Sequence, residues 1–259
     1  MYKRQAWDSA GFVARKPSSG SYAFYVGMKT IYDVQYVPAG QDSSLLAGKP
    51  VNVAGIVTAP PGVYSDYFFF IENSYDGGSP QFRGVKVYDR TGTVSVSLGD
   101  SVTVSGRVVE YYNETEIYMH FPEAITVHSS SNPVPQPYSV PTASIDTSEA
   151  WEGVLVIANG ATVADPNAGF GEWLITNGGA ADTCRVGDRA TYTYQPHLGD
   201  NVNVAGIVMY SYKKYRLEPR GDDDICEPGE AGAGDVGKPV RLALSVSPNP
   251  VVRLSLIHI

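Results

Sequence analysis

Three aspartates in a row, Asp222-Asp223-Asp224, are the densest set of potential metal ligands in the chain. In an extended segment successive side chains point to opposite faces, so the three cannot converge on one ion. They read as the solvated acidic end of a strand. Glu114 and Glu116 share a strand face, but no carboxylate can be assigned opposite them, as a general acid and base pair requires. His120, His128 and His197 each stand alone, without the short spacing or cysteine pair of a zinc site. No Gly-x-Ser-x-Gly elbow offers a nucleophile, and no glycine-rich loop opens a helix to cradle phosphate. Asp165-Pro166-Asn167-Ala168-Gly169 lacks the spaced acidic ligands of a calcium loop and reads as a turn. The residues predict no catalytic constellation, no metal site and no cofactor.

The elements that carry these residues are strands. Val-Asn-Val-Ala-Gly-Ile-Val occurs at Val51–Val57 and again at Val202–Val208, with valines alternating at the period of a half-buried strand. Gly55 and Gly206 break the alternation where a strand coils sharply. Leu98-Gly99-Asp100-Ser101-Val102 recurs as Leu198-Gly199-Asp200-Asn201-Val202, an offset of 100. The repeat length is therefore about 100 residues. Val51 opens the first strand of one module and Val202 the fourth strand of the next.

In the first module a strand-like stretch (Ile31, Val34, Tyr36) leads to Val51–Val57, which Pro60-Pro61-Gly62 ends. Tyr67–Ile71, Gly84–Tyr88, Val102–Val108 and a hairpin through Tyr111–Ile117 follow. The second module repeats this with Gly153–Val156, Glu172–Ile175, Cys184–Tyr194, Val202–Val208 and a hairpin through Tyr210–Pro219. Asn132-Pro133-Val134-Pro135-Gln136-Pro137 between them suits a stiff polyproline spacer.

Composition agrees. The chain has 259 residues with 18 Tyr, 27 Gly and 18 Pro, which favours an all-β protein of aromatic strands and tight turns. The net charge of −8 gives the surface as a whole no counterion release on nucleic acid, without excluding a local groove. No apolar run is long enough to cross a membrane.

Five strands per module, a glycine in the coiled first strand and a fourth strand reading Gly-Asp-x-Val-x-Val-x-Gly resemble the OB-fold, a small Greek-key barrel. Glu152-Gly153-Val154-Leu155-Val156, Gly187-Asp188-Arg189-Ala190 and Leu217–Ile225 look like the OB-like modules of secreted bacterial proteins, which accompany nucleases, phosphatases and lamin-tail-type domains. The expected fold is all-β, two tandem five-stranded OB-like Greek-key barrels over 30–131 and 142–226, joined by a Pro-rich linker at 132–141. The resemblance implies ligand binding over strands 2 and 3 by stacked rings and basic residues. In module one these are Tyr67, Phe69, Arg83, Lys86 and Tyr88. In module two they are Trp173, Arg185, Arg189, Tyr192 and Tyr194, with Tyr212, Lys213 and Lys214 on the closing hairpin. Phe68, Phe70 and Ile71 are expected to fill the barrel. Single-stranded nucleic acid or polysaccharide is the implied partner, bound weakly and without catalysis.

Leu244-Ser245-Val246-Ser247-Pro248-Asn249-Pro250 resembles the opening of a type IX secretion sorting domain, and Pro248, Asn249 and Pro250 would form its turn. Residues 227–241 would be a flexible linker and 242–253 a truncated sorting domain. Export to the medium or cell surface, and contact with the type IX machinery, would follow. In an oxidising compartment Cys184 and Cys226 are candidates for a disulfide, with two separate thiols the alternative. Both ends resemble translations of a sequencing-library transposon end, so 1–5 and 254–259 are set aside. Residues 6–29 are then expected to be a linker or the end of an upstream domain, and the resemblance implies a hydrolase such as a nuclease outside this chain, which leaves the chain itself a non-catalytic fragment. The alternative is a purely structural spacer with no ligand.

Overall fold

The computed structural model describes residues 27–38, 41, 43–73, 78–119 and 124–228, and the backbone of a short antiparallel pair, Ala6–Trp7 with Val13–Ala14. Ten strands form two closed barrels and are numbered in chain order. Barrel one comprises β1 (Pro50–Ala59), β2 (Phe68–Glu72), β3 (Gly84–Asp89), β4 (Ser101–Tyr111) and β5 (Glu114–Met119). Barrel two comprises β6 (Leu155–Gly169), β7 (Glu172–Thr176), β8 (Thr183–Val186), β9 (Asn201–Ser211) and β10 (Lys214–Glu218).

In barrel one the order is β1-β2-β3-β5-β4, and β4 pairs back onto β1 to close the sheet. Only β3 and β5 run parallel among these five pairings. Barrel two repeats every feature, with β8 parallel to β10 and β9 closing onto β6. This is the OB Greek-key order, and the expected all-β pair of five-stranded barrels is what the chain forms.

The repeated heptapeptide lies in β1 and in β9, the first and fourth strands of their barrels. Those two strand positions pair with each other in each barrel. A side chain on Gly206 would strike the backbone of Glu218 in β10, and one on Gly106 the backbone of Tyr118 in β5. Glycine therefore lets the fifth strand cross close over the fourth.

Each barrel has its own core. Val53, Val57, Phe69, Ile71, Val85, Val87, Val104 and Ile117 fill the first, and Val156, Trp173, Ile175, Cys184, Val204, Val208 and Leu217 the second. The stretch Ile31–Gln35, expected as a strand, is helix α1. Thr30 caps it by accepting from the Asp33 N–H, and Asp33 returns the bond to the Thr30 N–H, both at 3.0 Å. Ile31 and Val34, three apart, then face one way into the core. Helix α2 (Thr142–Thr147) buries Ile145 in barrel two in the same manner.

Three local expectations are corrected. The strand expected over Cys184–Tyr194 ends at Val186, and the rest is extended chain outside the sheet. Asp165–Gly169 is not a turn but the bulged end of β6, shifted in register against β7. Asp222–Asp224 is a 3-10 turn, and Asp224 is buried rather than solvated, gripping the Arg220 guanidinium at 2.7 and 2.8 Å.

The barrels pack directly on one another. Ala59, Phe68 and Phe70 of barrel one meet Leu155, Ile207 and Met209 of barrel two in a third apolar cluster. Removing each Phe ring from water is worth about 1.5–3 kcal/mol, so the seam is a stable contact. Its rim is hydrogen-bonded. The Tyr64 hydroxyl donates to the Glu218 carbonyl at 2.6 Å, and Arg220 Nη1 to the Thr58 carbonyl at 3.1 Å. Gln35 Nε2 donates to the carbonyls of Gly84 and Glu152, at 2.7 and 3.1 Å. Gly84 and Gly153 approach so closely that a side chain on either would overlap the other's backbone. The Pro-rich stretch joins the barrels without holding them apart: Val134 packs on the seam, and Tyr138–Ser139 pairs parallel with Val156 and Ile157 of β6.

Candidate functional site

The outer face of β2 and β3 in barrel one is the inner wall of the seam. Phe68 and Phe70, expected to fill the barrel, point outward into it, while Phe69, expected on the ligand face, is wholly buried in the core. The Phe69 ring offers no stacking surface. Tyr88 does lie on the outer face, stacked on Tyr118 at 5.4 Å and packed against the seam. Lys86 is there too, but buried between Glu114 (2.6 Å) and Glu116 (3.3 Å), with its ammonium 4.7 Å from the Phe68 ring centre. Burial works against the Lys86 charge, yet the two carboxylates more than offset it and raise its pKa. Arg83 donates to the Ser79 carbonyl, and Tyr67 lies half exposed beside Gly92, just before β2. The structure therefore does not gather the five residues into an open groove.

Barrel two keeps its face uncovered, but the cations there are paired. Arg185 bonds the Glu172 carboxylate at 2.7 Å, Arg216 takes its other oxygen, and Arg189 lies 3.8 Å from Glu218. Tyr212, Lys213 and Lys214 sit at the β9–β10 tip, with Tyr212 90% exposed and both Tyr212 and Lys213 at positive φ. They are far along the strands from the β6–β7 hairpin, since Arg216 pairs beside Arg185 while Glu172 lies beyond, toward the other end.

Trp173, Tyr192 and Tyr194 do come together. Trp173 is buried in the core, and its Nε1–H donates to the Tyr192 hydroxyl at 3.0 Å. Tyr192 in turn donates to the Gly187 carbonyl at 2.9 Å. The Tyr194 ring lies 5.4 Å from Trp173, and its hydroxyl donates to Asp200 at 2.8 Å. Burial and then the Asp200 carboxylate push the Tyr194 hydroxyl up, keeping it a neutral donor. These rings line an open cleft of about 350 Å3 at one end of barrel two. The β6–β7 hairpin forms a wall of it through Pro166 and Gly171, and the chain after β8 supplies Asp188, Thr191 and Gln195.

Among the described residues barrel one places no rings at the matching positions. The shared Leu-Gly-Asp motif aligns Val94 with Tyr194, and Val94 and Val96 are buried in the core there. The Asp89 carboxylate fastens that loop by accepting from the backbone of Thr91, Thr93 and Val94 at 2.8–2.9 Å. Sequence reading missed Asp188 and Thr191 in this cleft, and Phe170 next to Gly171 on the hairpin that walls it. The signal was present in Phe170, a large apolar residue between two glycines at the expected end of a strand.

The structure draws no bond between Cys184 and Cys226. Cys184 points into the barrel. Cys226 pairs opposite Asn203, whose neighbours Val202 and Val204 face inward, so Cys226 lies on the outer side of the wall. Pro248, Asn249 and Pro250 lie outside the described residues. Among the described residues no group of three or more His, Cys, Asp or Glu is placed to hold a metal ion, and no helix is long and apolar enough to cross a membrane.

No known protein family matches the chain, and no curated protein matches it. Among solved structures it is similar to the hypothetical protein ygiW from E. coli, at 17% identity and TM-score 0.29, over 42% of this chain and 99% of that one. It is similar also to the second OB-fold domain of replication protein A from Methanococcus maripaludis, at 16% identity and TM-score 0.23, over 35% and 94%. A third is the Ifi202 HINa domain in complex with 20bp dsDNA, at 16% identity and TM-score 0.31, over 67% and 93%. The barrel assignment rests on strand order and pairing alone.

Proposed function

We propose that this chain is a non-catalytic segment of an exported bacterial protein, in which barrel two binds a ligand weakly on behalf of a catalytic domain elsewhere in the protein. One observation carries the reading: an open aromatic cleft at Trp173, Tyr192 and Tyr194. Export rests on the resemblance of Leu244–Pro250 to a sorting-domain opening. The paired state of Lys86, Arg185, Arg189 and Arg216 favours a ligand held by rings and hydrogen bonds over one held by its phosphates.

The spacer reading applies to barrel one. Its β2–β3 face is spent on the seam, so it serves as the platform that fixes barrel two. Titration with single-stranded oligonucleotides and with oligosaccharides at low salt tests the proposal. Saturable binding of either supports it; no binding of any probe at millimolar concentration sinks it. The reading frame upstream of Ala6 tests the companion domain independently.

A further inference from the structure

We infer that the cleft of barrel two takes one ring of a neutral sugar chain, with Phe170 closing over it from the rim and Asp188 accepting its hydroxyls. The inference rests on the binding role proposed above and names the ligand class for that site.

The first argument is what the cleft offers. Tyr192 and Tyr194 already spend their hydroxyls on Gly187 and Asp200, so they are held in place and present ring rather than polar tip. Pro166 and Pro196 add apolar surface on either side. The volume of about 350 Å3 is at the small end of ligand sites and suits a single ring-sized unit.

The second is charge. Asp188 is the only Asp, Glu, Lys or Arg in the lining, and Arg189 beside it already faces Glu218 at 3.8 Å, so a phosphodiester in the cleft meets a like charge. A cationic ligand is little favoured, because Arg189 lies beside Asp188, and both act on Glu218. What remains is a neutral ligand rich in hydroxyls. Among the described residues the Asp188 side chain has no hydrogen-bond or ion-pair partner, and Thr191 and Gln195 stand exposed next to it. A carboxylate accepting from a hydroxyl is among the stronger hydrogen bonds open to an uncharged ligand.

The third is Phe170. It is 98% exposed on the hairpin that walls the cleft, at φ 58° between Gly169 (φ 89°) and Gly171 (φ 80°). Gly169 pairs with Glu172, so Phe170 and Gly171 are the two central residues of a tight hairpin. A left-handed position there favours Asn, Asp or Gly, and holding an apolar ring in it, in water, is a cost that folding does not recover. Closure on a sugar face recovers it.

The test is calorimetric titration of the whole chain with four neutral hexasaccharides (cellohexaose, laminarihexaose, maltohexaose, xylohexaose), and with hexagalacturonate, oligothymidylate and oligolysine. At least one neutral probe should saturate. Asp188→Ala should then weaken binding about tenfold or more, and Phe170→Ala about two- to tenfold. Both residues are exposed, so unchanged thermal unfolding of the variants verifies their fold. Binding that neither variant weakens overturns the cleft. Binding of only a charged probe overturns the sugar assignment and leaves the binding role standing. No binding by any probe removes both.

Discussion

Glu72 and Glu152 reach across the seam in opposite directions. Glu72 of β2 accepts from the Leu155 N–H in barrel two at 3.0 Å, and Glu152, just before β6, accepts from the Thr115 N–H in barrel one at 2.8 Å. Each barrel thus supplies a carboxyl that satisfies a backbone donor of the other.

That exchange makes the seam sensitive to alkali. Burial, only partly offset by the Leu155 N–H and by Arg220 and Arg83, pushes Glu72 from 4.5 to about 8. Burial, then Glu114 and Glu149, raise Glu152 as well. An acid with a higher pKa in the folded state binds more protons there than when unfolded. Its contribution is therefore complete below about pH 4.5 and is lost as pH rises toward about 8. Glu72→Gln keeps the acceptor and removes the titration. Its melting temperature should exceed that of the parent by about 2–4 °C or more at pH 9, and match it near pH 4. A parallel pair of melting curves across that range would refute the assignment.

Gly84→Ala should separate the barrels, because the new methyl group would occupy the Gly153 carbonyl. We expect a loss of at least about 2 kcal/mol, and two unfolding transitions by calorimetry in place of one. Gly179→Ala is the control: its side chain would meet nothing closer than the Asp182 carboxylate at 3.9 Å. Equal melting of the two variants would show that the glycine contact does not hold the seam.

Among the described residues, all three two-residue hairpins place an aromatic ring at positive φ on an exposed tip: Tyr112 (79% exposed), Phe170 and Tyr212. Phe170→Asn creates Asn-Gly, the pair that this turn favours, and should raise stability by about 0.5–1 kcal/mol. The same change should weaken sugar binding. Stability up and binding down together mark a residue kept for contact; a variant that loses stability would argue that the ring supports the fold.

Native alkylation should modify Cys226 and spare Cys184. Cys184 is fully buried and burial pushes its thiol pKa up, whereas Cys226 is on the outer wall and partly exposed. Without reductant, one label per chain is expected when folded and two in denaturant, by intact mass. No label under either condition would establish the disulfide.

The sequence carried the strand plan because alternation and glycine placement are local. Val51–Val57 and Val202–Val208 each needed only their own neighbours to be read as coiled strands. The face of β2 was hidden: Phe68, Phe69 and Phe70 are consecutive rings, so no polar residue marks which side is outward. Lys86 reads as a cation of the ligand face, but Glu114 and Glu116, which neutralise it, arrive on a strand nearly 30 residues later. The segment Ile31–Gln35 is too short for periodicity to separate helix from strand, and only the Thr30–Asp33 capping pair decides it. Tyr192 and Tyr194 were singled out for their chemistry, though the cleft they line depends on a hairpin some 20 residues earlier.

The covered β2–β3 face of barrel one also bears on whether either half could stand alone. The two copies of the 100-residue repeat use their outer surfaces differently, because barrel one buries its β2–β3 face against barrel two. Neither half is now interchangeable with the other. A recombination event that moved barrel one alone would expose Phe68 and Phe70 on a sticky orphan. The unit that keeps these rings out of water is the pair.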